Sequence, residues 1–554
     1  MPCFLRALMD SVTRHPSLWL RTASTAPRAP LHGDLAADVC VIGAGITGIT
    51  TARLLKRAGL SVAVVDALGV GAGETGHTTA HLSSHHDLSY SDTIDKFGED
   101  DARLILESRR AAIAQIESFV IDENIQCGYE RVPAFLFAED AAGERELRDE
   151  LQACRRLGMN AEWVERLPAS FTVRGAIRFP NQAQFHPLEY VGALAERIEG
   201  NGSRLLERTR ATSIDAGSPC AVFTDRGTIF CREVIHATNV PLNAMGLLIT
   251  RIAPYRTYAM SFHIDPASAP LALMWDSGDP YHYVRVHRVE GRTYLLVGGE
   301  DHKVGSLEHD APTDTQVQAE RAWNRIEAWT RARFTAGAVS HRWSGQLLEP
   351  SDGLPFIGRY DDHVWVATGF SGDGMTNGTI AAMLLTEEIL GQRSALSKVY
   401  DPKRVDVFAS IKEYVRENVD FPMHLIRDRL ERPQADRFRD VRPGEGMIVR
   451  TGKEKLAVFR DPEGAVHAFS PVCTHMGCHV HWNAAETSWD CPCHGSRFDA
   501  RSGAVLNGPA TSALAARDVG DRESALPTGG APARNVPRDT LTSFPGRESR
   551  SSVV

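Results

Sequence analysis

Two short stretches near the C-terminal end hold residue types that need a chemical reason to cluster. Cys473-Thr474-His475-Met476-Gly477-Cys478 is followed by Cys491-Pro492-Cys493-His494-Gly495-Ser496, so a C-x-H is separated by fifteen residues from a C-x-x-H. Two thiolates and two imidazoles suit either zinc or a [2Fe–2S] cluster. Zinc sites commonly join a C-x-x-C to a paired histidine element. Here each loop supplies one Cys and one His. That division suits one iron held by Cys473 and Cys491 and the other by His475 and His494. Cys478 and Cys493 remain as a second pair. The other six cysteines are scattered over the first 472 residues and read as small apolar core groups.

A second constellation lies near the N-terminus. Gly43, Gly45 and Gly48 form G-x-G-x-x-G between the apolar run Val39–Ile42 and a segment of helical periodicity that ends at Gly59. The first glycine permits a tight turn, the second lets a pyrophosphate approach the backbone, and the third lets helix and strand pack closely. The helix N-terminus adds oriented N–H groups for phosphate. Val62–Val65 returns as a second buried strand, and Asp66 ends it where a carboxylate can accept ribose hydroxyls. This is a dinucleotide cradle.

Later segments narrow the nucleotide. GAGETGHTTAH (71–81), DGLPFIG (352–358) and VWVATGFSGDGMTNGTIAA (364–382), with FPNQAQFHPLEY, VGGEDHK and RWSGQ, resemble the D-amino-acid oxidase and glycine oxidase family over roughly residues 36–395. The resemblance implies FAD, with flavin-contacting positions at Thr75, His77, Thr78, Thr79, Asp352, Gly353, Gly369, Gly374, Met375 and Thr376. It also implies a helix N-terminus beside the flavin, where its dipole would favour the anionic reduced ring. The Gly73-x-Thr75-x-His77 spacing is similar to that of members whose flavin is attached through histidine. A histidine that only hydrogen-bonds the cofactor fits the same spacing.

The C-terminal loops resemble those of Rieske proteins, including the Rieske subunit of cytochrome bc complexes. That resemblance implies a disulfide between Cys478 and Cys493, the alternative being two free thiols, and a covering proline loop at Gly508-Pro509-Ala510. Ser496 keeps a position that donates a hydrogen bond to cluster or ligand sulfur in high-potential members. Phe498 stands where those members carry a tyrosine. Losing that donor destabilises the electron-rich reduced cluster, so the expected potential lies below that of bc-type centres. Rieske domains normally continue in β-strands after the proline loop, whereas here the sequence turns to low complexity.

The elements that must position these groups follow from periodicity. Helices are expected near 102–119, 142–157, 187–199, 314–333 and 377–391, and strands near 131–138, 255–264, 282–286 and 293–299. The expected architecture is an α/β FAD-binding Rossmann-type domain with an interleaved α+β substrate domain, plus a C-terminal all-β Rieske domain. The expected boundaries are a leader at 1–35, the oxidoreductase at 36–402, a helical linker at 403–432, the Rieske domain at 433–517 and a disordered tail at 518–554.

For substrate, Arg285 and Tyr283 on a substrate-domain strand are candidates, the arginine as a fork for a carboxylate. His302 and Lys303 are polar candidates near the flavin, and His186 reads as an organiser of structure. No motif fixes a general base.

Composition sets outer bounds. The chain has 554 residues and a net charge of −9, with 43% hydrophobic and 24% charged residues. An acidic balance argues against nucleic acid as a partner. No apolar run reaches the roughly 18 residues of a membrane span, and the cytoplasm is the default compartment. The expected activity is oxidation of an amine or amino-acid C–N bond, with electrons passed singly through the cluster to an external acceptor. The competing expectation is an electron-transfer or redox-sensing protein with no dedicated amine substrate.

Overall fold

The computed structural model describes residues 15–242, 246–305, 315–404, 434–435, 438–452 and 454–518. The linker expected at 403–432 and the tail expected from 518 onward fall almost wholly outside the described residues.

The run VCVI at Val39–Ile42 has all four side chains buried, as a central parallel strand requires. It pairs in parallel with Val62–Val65 on one side and Glu233–His236 on the other. Arg204–Leu206 and Val364–Thr368 extend this sheet in parallel, and Phe356–Asp361 closes it as an antiparallel edge. Helix Ile46–Arg57 springs from Gly45 as its N-cap and packs on helix Gly374–Ile389, whose first residue is also a glycine. The two helix N-termini therefore open on the same side of the sheet.

The interleaved part is a nine-stranded mixed sheet. Its long strands Ile252–His263, Arg292–Lys303 and Val339–Pro350 run antiparallel. His282–Val289 and Leu273–Asp276 continue it toward Glu130–Ala138 and Gly175–Gln184. Helices appear where periodicity places them, at Glu99–Asp122, Ala141–Arg156, Pro187–Ala195, Thr315–Arg333 and Gly374–Ile389.

From residue 15 on, the segment expected as a leader packs into this core. Ser17 caps helix Leu18–Thr22, and Leu18 and Trp19 are fully buried. Ser17 Oγ donates to Gly76 O at 2.5 Å and Trp19 Nε1 to Thr78 O at 2.6 Å, so the segment braces the loop expected to contact flavin.

The C-terminal part is all β. Gly446–Thr451, Glu454–Arg460 and Val466–Phe469 form one antiparallel sheet. His481–Asn483, Ser488–Asp490, Arg497–Asp499 and Val505–Asn507 form another. After the proline loop, the described residues form a short closure on the first of these sheets. Ser470 N donates to Ala515 O at 2.8 Å, Arg517 N donates to Ala468 O at 2.8 Å, and Phe469 bridges Ala516. Among the described residues, no helix is long and apolar enough to cross a membrane.

Candidate functional site

The glycine turn does what its spacing requires. A Cβ on Gly43 would lie 2.3 Å from the Ala237 carbonyl oxygen, and one on Gly48 would lie 1.9 Å from Gly43 O. Gly48 therefore sets helix–strand packing, and Gly43 and Gly45 open onto a cavity of about 340 Å³. The cavity runs from this turn past Asp66, Thr75, His77, Thr78 and Thr79 to the helix start at Gly374 and Met375. Two helix N-termini face it, which fits an anionic, phosphate-bearing ligand.

Asp66 is more occupied than expected. Its carboxylate accepts from Ala44 N, Leu68 N and Gly69 N, each at 2.8 Å. Burial nevertheless raises its pKa. His77 lies in the wall with Nδ1 3.0 Å from Gly73 O. Its Nε2 is buried without a hydrogen-bond partner, 4.0 Å from Glu486 Oε2. Thr376 Oγ1, also without a partner, is buried in the first turn of the helix behind Met375.

Other expected cofactor positions lie outside the wall. Asp352 is 1% exposed and held by Arg404 through two 2.8 Å contacts, with Arg251 at 3.5 Å. It anchors the segment before strand Phe356–Asp361. Gly353 and Gly369 turn the chain beside it without lining the cavity.

The substrate candidates divide. Tyr283 lines the cavity with its hydroxyl 2.9 Å from Thr257 Oγ1. Arg285 does not. It is fully buried, its Nη atoms bond the Ala80 and Phe185 carbonyls and His287 Nδ1, and its guanidinium lies 5.3 Å from the Trp19 ring. Burial pulls it down to about 9. This arginine ties strand to loop and is not a carboxylate fork. His302 stacks on Tyr258 at 5.6 Å, and burial lowers it to about 4; neither it nor Lys303 reaches the wall. His186 caps helix Pro187–Ala195 by accepting from Glu189 N, the organising role expected of it.

The second centre is assembled by the two loops of the C-terminal domain. A hydrogen bond from the Cys491 thiol brings Cys473 down to about 7, so the two sulfurs lie side by side. The His475 and His494 rings are 5.0 Å apart. Both ring nitrogens of His475 are buried without hydrogen-bond partners, so either can take the bond to a metal. Cys478 and Cys493 are joined by a disulfide that ties the loops together. The Ser496 hydroxyl bonds Cys473 and accepts from Ala510 N of the proline loop at 3.2 Å. Phe498 is fully buried in the same apolar cluster and has no hydroxyl to offer. The donor set fits a two-thiolate, two-imidazole cluster.

Sequence reading missed how the two centres meet. Arg256 and Asp490, each 4% exposed in its side chain, pair at 2.6 Å across the interface. Ser344 Oγ donates to Glu486 Oε1 at 2.7 Å, and Arg210 Nη2 donates to Val505 O at 2.6 Å. Arg497 lies 3.5 Å from Glu74 and 3.7 Å from Glu486. Burial works to raise Glu486, but His77, Arg497 and Arg256 hold it below the usual range. Glu486, Arg497, Leu506, Asn507 and Gly508 all belong to the cavity wall. The C-terminal domain thus closes one side of the nucleotide cavity. Strand-level patterning gives no signal for this, because each partner reads locally as an ordinary surface charge.

A dinucleotide cavity walled by a Cys₂His₂ loop domain defines a two-centre redox protein. The family model for FAD dependent oxidoreductases matches residues 38–388, and that for the Rieske [2Fe-2S] domain matches residues 433–518. The chain belongs to the FAD-dependent oxidoreductase family of D-amino-acid oxidase type and carries a Rieske domain at its C-terminal end. A Bacillus subtilis (strain 168) protein, YhfW, named for a Rieske 2Fe-2S iron–sulfur centre, is 34% identical over 91% of this chain and 98% of its own length. The gamma-glutamylputrescine oxidoreductase of Escherichia coli K12 is 26% identical over 73% of this chain and 93% of its own. Among solved structures, glycine oxidase from Geobacillus kaustophilus superposes with a TM-score of 0.55 at 18% identity, over 67% of this chain and all of that one.

Proposed function

We propose that this oxidoreductase oxidises the C–N bond of an amine or amino acid and passes the electrons one at a time through the Rieske cluster to an external acceptor. In the reaction the substrate carbon gives up a hydride and its nitrogen a proton. Water then adds to the imine, releasing a carbonyl product and ammonia or an amine. Bound FAD supplies the two-electron acceptor and the cluster the one-electron carrier.

The observation that carries the reading is the seat of the cluster loop. Gly495, next to the ligand His494, gives its carbonyl to Gln346 Nε2 at 3.3 Å. A Cβ on Gly495 would come within 2.8 Å of that same nitrogen. Gln346 lines the cavity, and Asn507 Nδ2 reaches its Oε1 at 3.4 Å. One side chain therefore separates the cluster loop from the flavin cavity. The names of the oxidoreductase and oxidase relatives support the C–N part of the reading.

Anaerobic mixing with a panel of amines and amino acids tests it. The flavin absorbance should bleach, and the cluster signal in electron paramagnetic resonance should follow at a rate independent of protein concentration. A panel that bleaches nothing, while a reductase protein reduces both centres, would refute the proposal.

A further inference from the structure

The cavity continues beyond the nucleotide cradle to the nine-stranded sheet, and the side chains there differ in character from the rest. Trp275 and Tyr283 face each other across paired strands. Tyr281 is next to them, its ring 5.7 Å from that of Tyr283. All three are partly exposed and belong to the wall. Across from them, Asp87 is open to the cavity and accepts from Gly372 N at 2.8 Å. Burial first, then the charges of Asp301 and Asp87, raise the pKa values of both tyrosine hydroxyls. Asp87 is itself raised by burial and by the neighbouring Asp373 and Glu349, an excess of negative charge that an arriving cation relieves.

Charge matching around the wall singles out this carboxylate. Asp373 pairs with Arg109 at 2.8 Å, Glu74 and Glu486 share Arg497, and Asp66 is filled by backbone amides. Asp87 has no ion pair among the described residues. The basic side chains are already committed. Arg210 holds Val505 O, Arg497 lies among three carboxylates, and Arg109 and Arg285 stand behind the wall. Among the described residues, the wall contains no lysine. A substrate carboxylate arriving here would meet Asp87 and no guanidinium, whereas an ammonium would meet a carboxylate and three aromatic faces, the setting that binds organic cations.

We propose that the substrate end of this cavity takes an amine cation that bears no carboxylate on the carbon attached to its nitrogen, seated by Asp87 among Trp275, Tyr281 and Tyr283. The inference rests on the C–N oxidation reading and narrows it from amines and amino acids to amines.

Matched pairs test it on the holoenzyme. Phenethylamine is set against phenylalanine of either hand, and isoamylamine against leucine of either hand, each mixed anaerobically while flavin bleaching is followed. Each amine should bleach the flavin at least about ten-fold faster than its carboxylated partner. A second arm uses tert-butylamine, which has no hydrogen on the carbon bearing nitrogen and so binds without reacting. Its dissociation constant, read from the shift in flavin absorbance, should rise about ten-fold in Asp87→Asn and return toward wild type in Asp87→Glu. Flavin content and the cluster signal should be unchanged.

An amino acid that bleaches the flavin as fast as its amine overturns the inference while leaving C–N oxidation standing. So does an Asp87→Asn variant whose tert-butylamine affinity stays within about two-fold of wild type. If no member of any pair bleaches the flavin, the oxidation reading falls and the inference falls with it.

Discussion

Arg256→Ala should undock the Rieske domain without unfolding the nucleotide fold. The Arg256–Asp490 pair is 2.6 Å long and 4% exposed on each side. Removing one partner of such a buried pair costs about 3–5 kcal/mol, because the other charge is left desolvated. Asp490 would keep Asn483 Nδ2 at 2.6 Å, Ser488 Oγ at 2.7 Å and Arg497 Nε at 3.5 Å. Those contacts place the cost at the low end, about 3 kcal/mol. At about 1.4 kcal/mol per decade, the equilibrium for opening the interface should shift about a hundred-fold. Hydrogen–deuterium exchange reads that equilibrium directly. Amides around Ser344–Gln346 and Glu486–Arg497 should exchange about a hundred-fold faster, and those of helix Ile46–Arg57 should not change. Acceleration in both places would mean global destabilisation and no specific docking role. An interface whose exchange rises less than about three-fold would refute the assignment of the pair as the docking contact.

Three further outcomes follow from single residues. Phe498→Tyr should raise the cluster potential by about 40 mV, the one-electron equivalent of a hydrogen bond worth about 1 kcal/mol; redox titration that finds no rise removes the phenol argument. Gly43→Ala should abolish FAD binding while sparing the cluster, because its Cβ would lie 2.3 Å from Ala237 O at a φ of +109°; the flavin-to-iron ratio reports it. Asp301 is raised to about 6 by burial, against the hydrogen bonds from Thr257 and Tyr281. The folded state thus favours its protonated form, and wild-type stability falls as pH rises from about 4 through 6. Asp301→Asn should be more stable than wild type by on the order of 2 kcal/mol at pH 7.5, with a smaller gap at pH 5. Equal gaps in urea midpoint at the two pH values would sink that account.

The parts of the site legible in the sequence are those whose chemistry is local. Gly43, Gly45 and Gly48 announce themselves because one turn needs all three, and Cys473, His475, Cys491 and His494 because each loop carries its own Cys and His. Periodicity likewise finds helix Ala141–Arg156 to within a residue or two, since its buried stripe needs only the helix itself. What stayed hidden depends on partners far along the chain. Arg285 looks like a substrate fork on its strand, and only the Ala80 and Phe185 carbonyls, 205 and 100 residues away, show it to be committed. Asp352 sits in a flavin-family motif, yet Arg404, 52 residues on, claims it. No motif contains Asp87; its meaning comes from the described cations of the wall being committed to other partners.

Because Rieske residues form part of the cavity wall, flavin binding and domain docking cannot be independent. If the cofactor gains contacts from Arg497, Asn507 and Gly508 only when the domain is docked, it binds the docked form more tightly. Linkage then requires that docking be strengthened by the same factor. The flavin would hold the cluster loop against Gln346, and the docked loop would hold the flavin. In Arg256→Ala, bound flavin should therefore slow interface exchange, and to the extent that the variant is undocked its flavin affinity should fall with it. Interface exchange that is the same with and without flavin would show that the shared wall carries no binding energy.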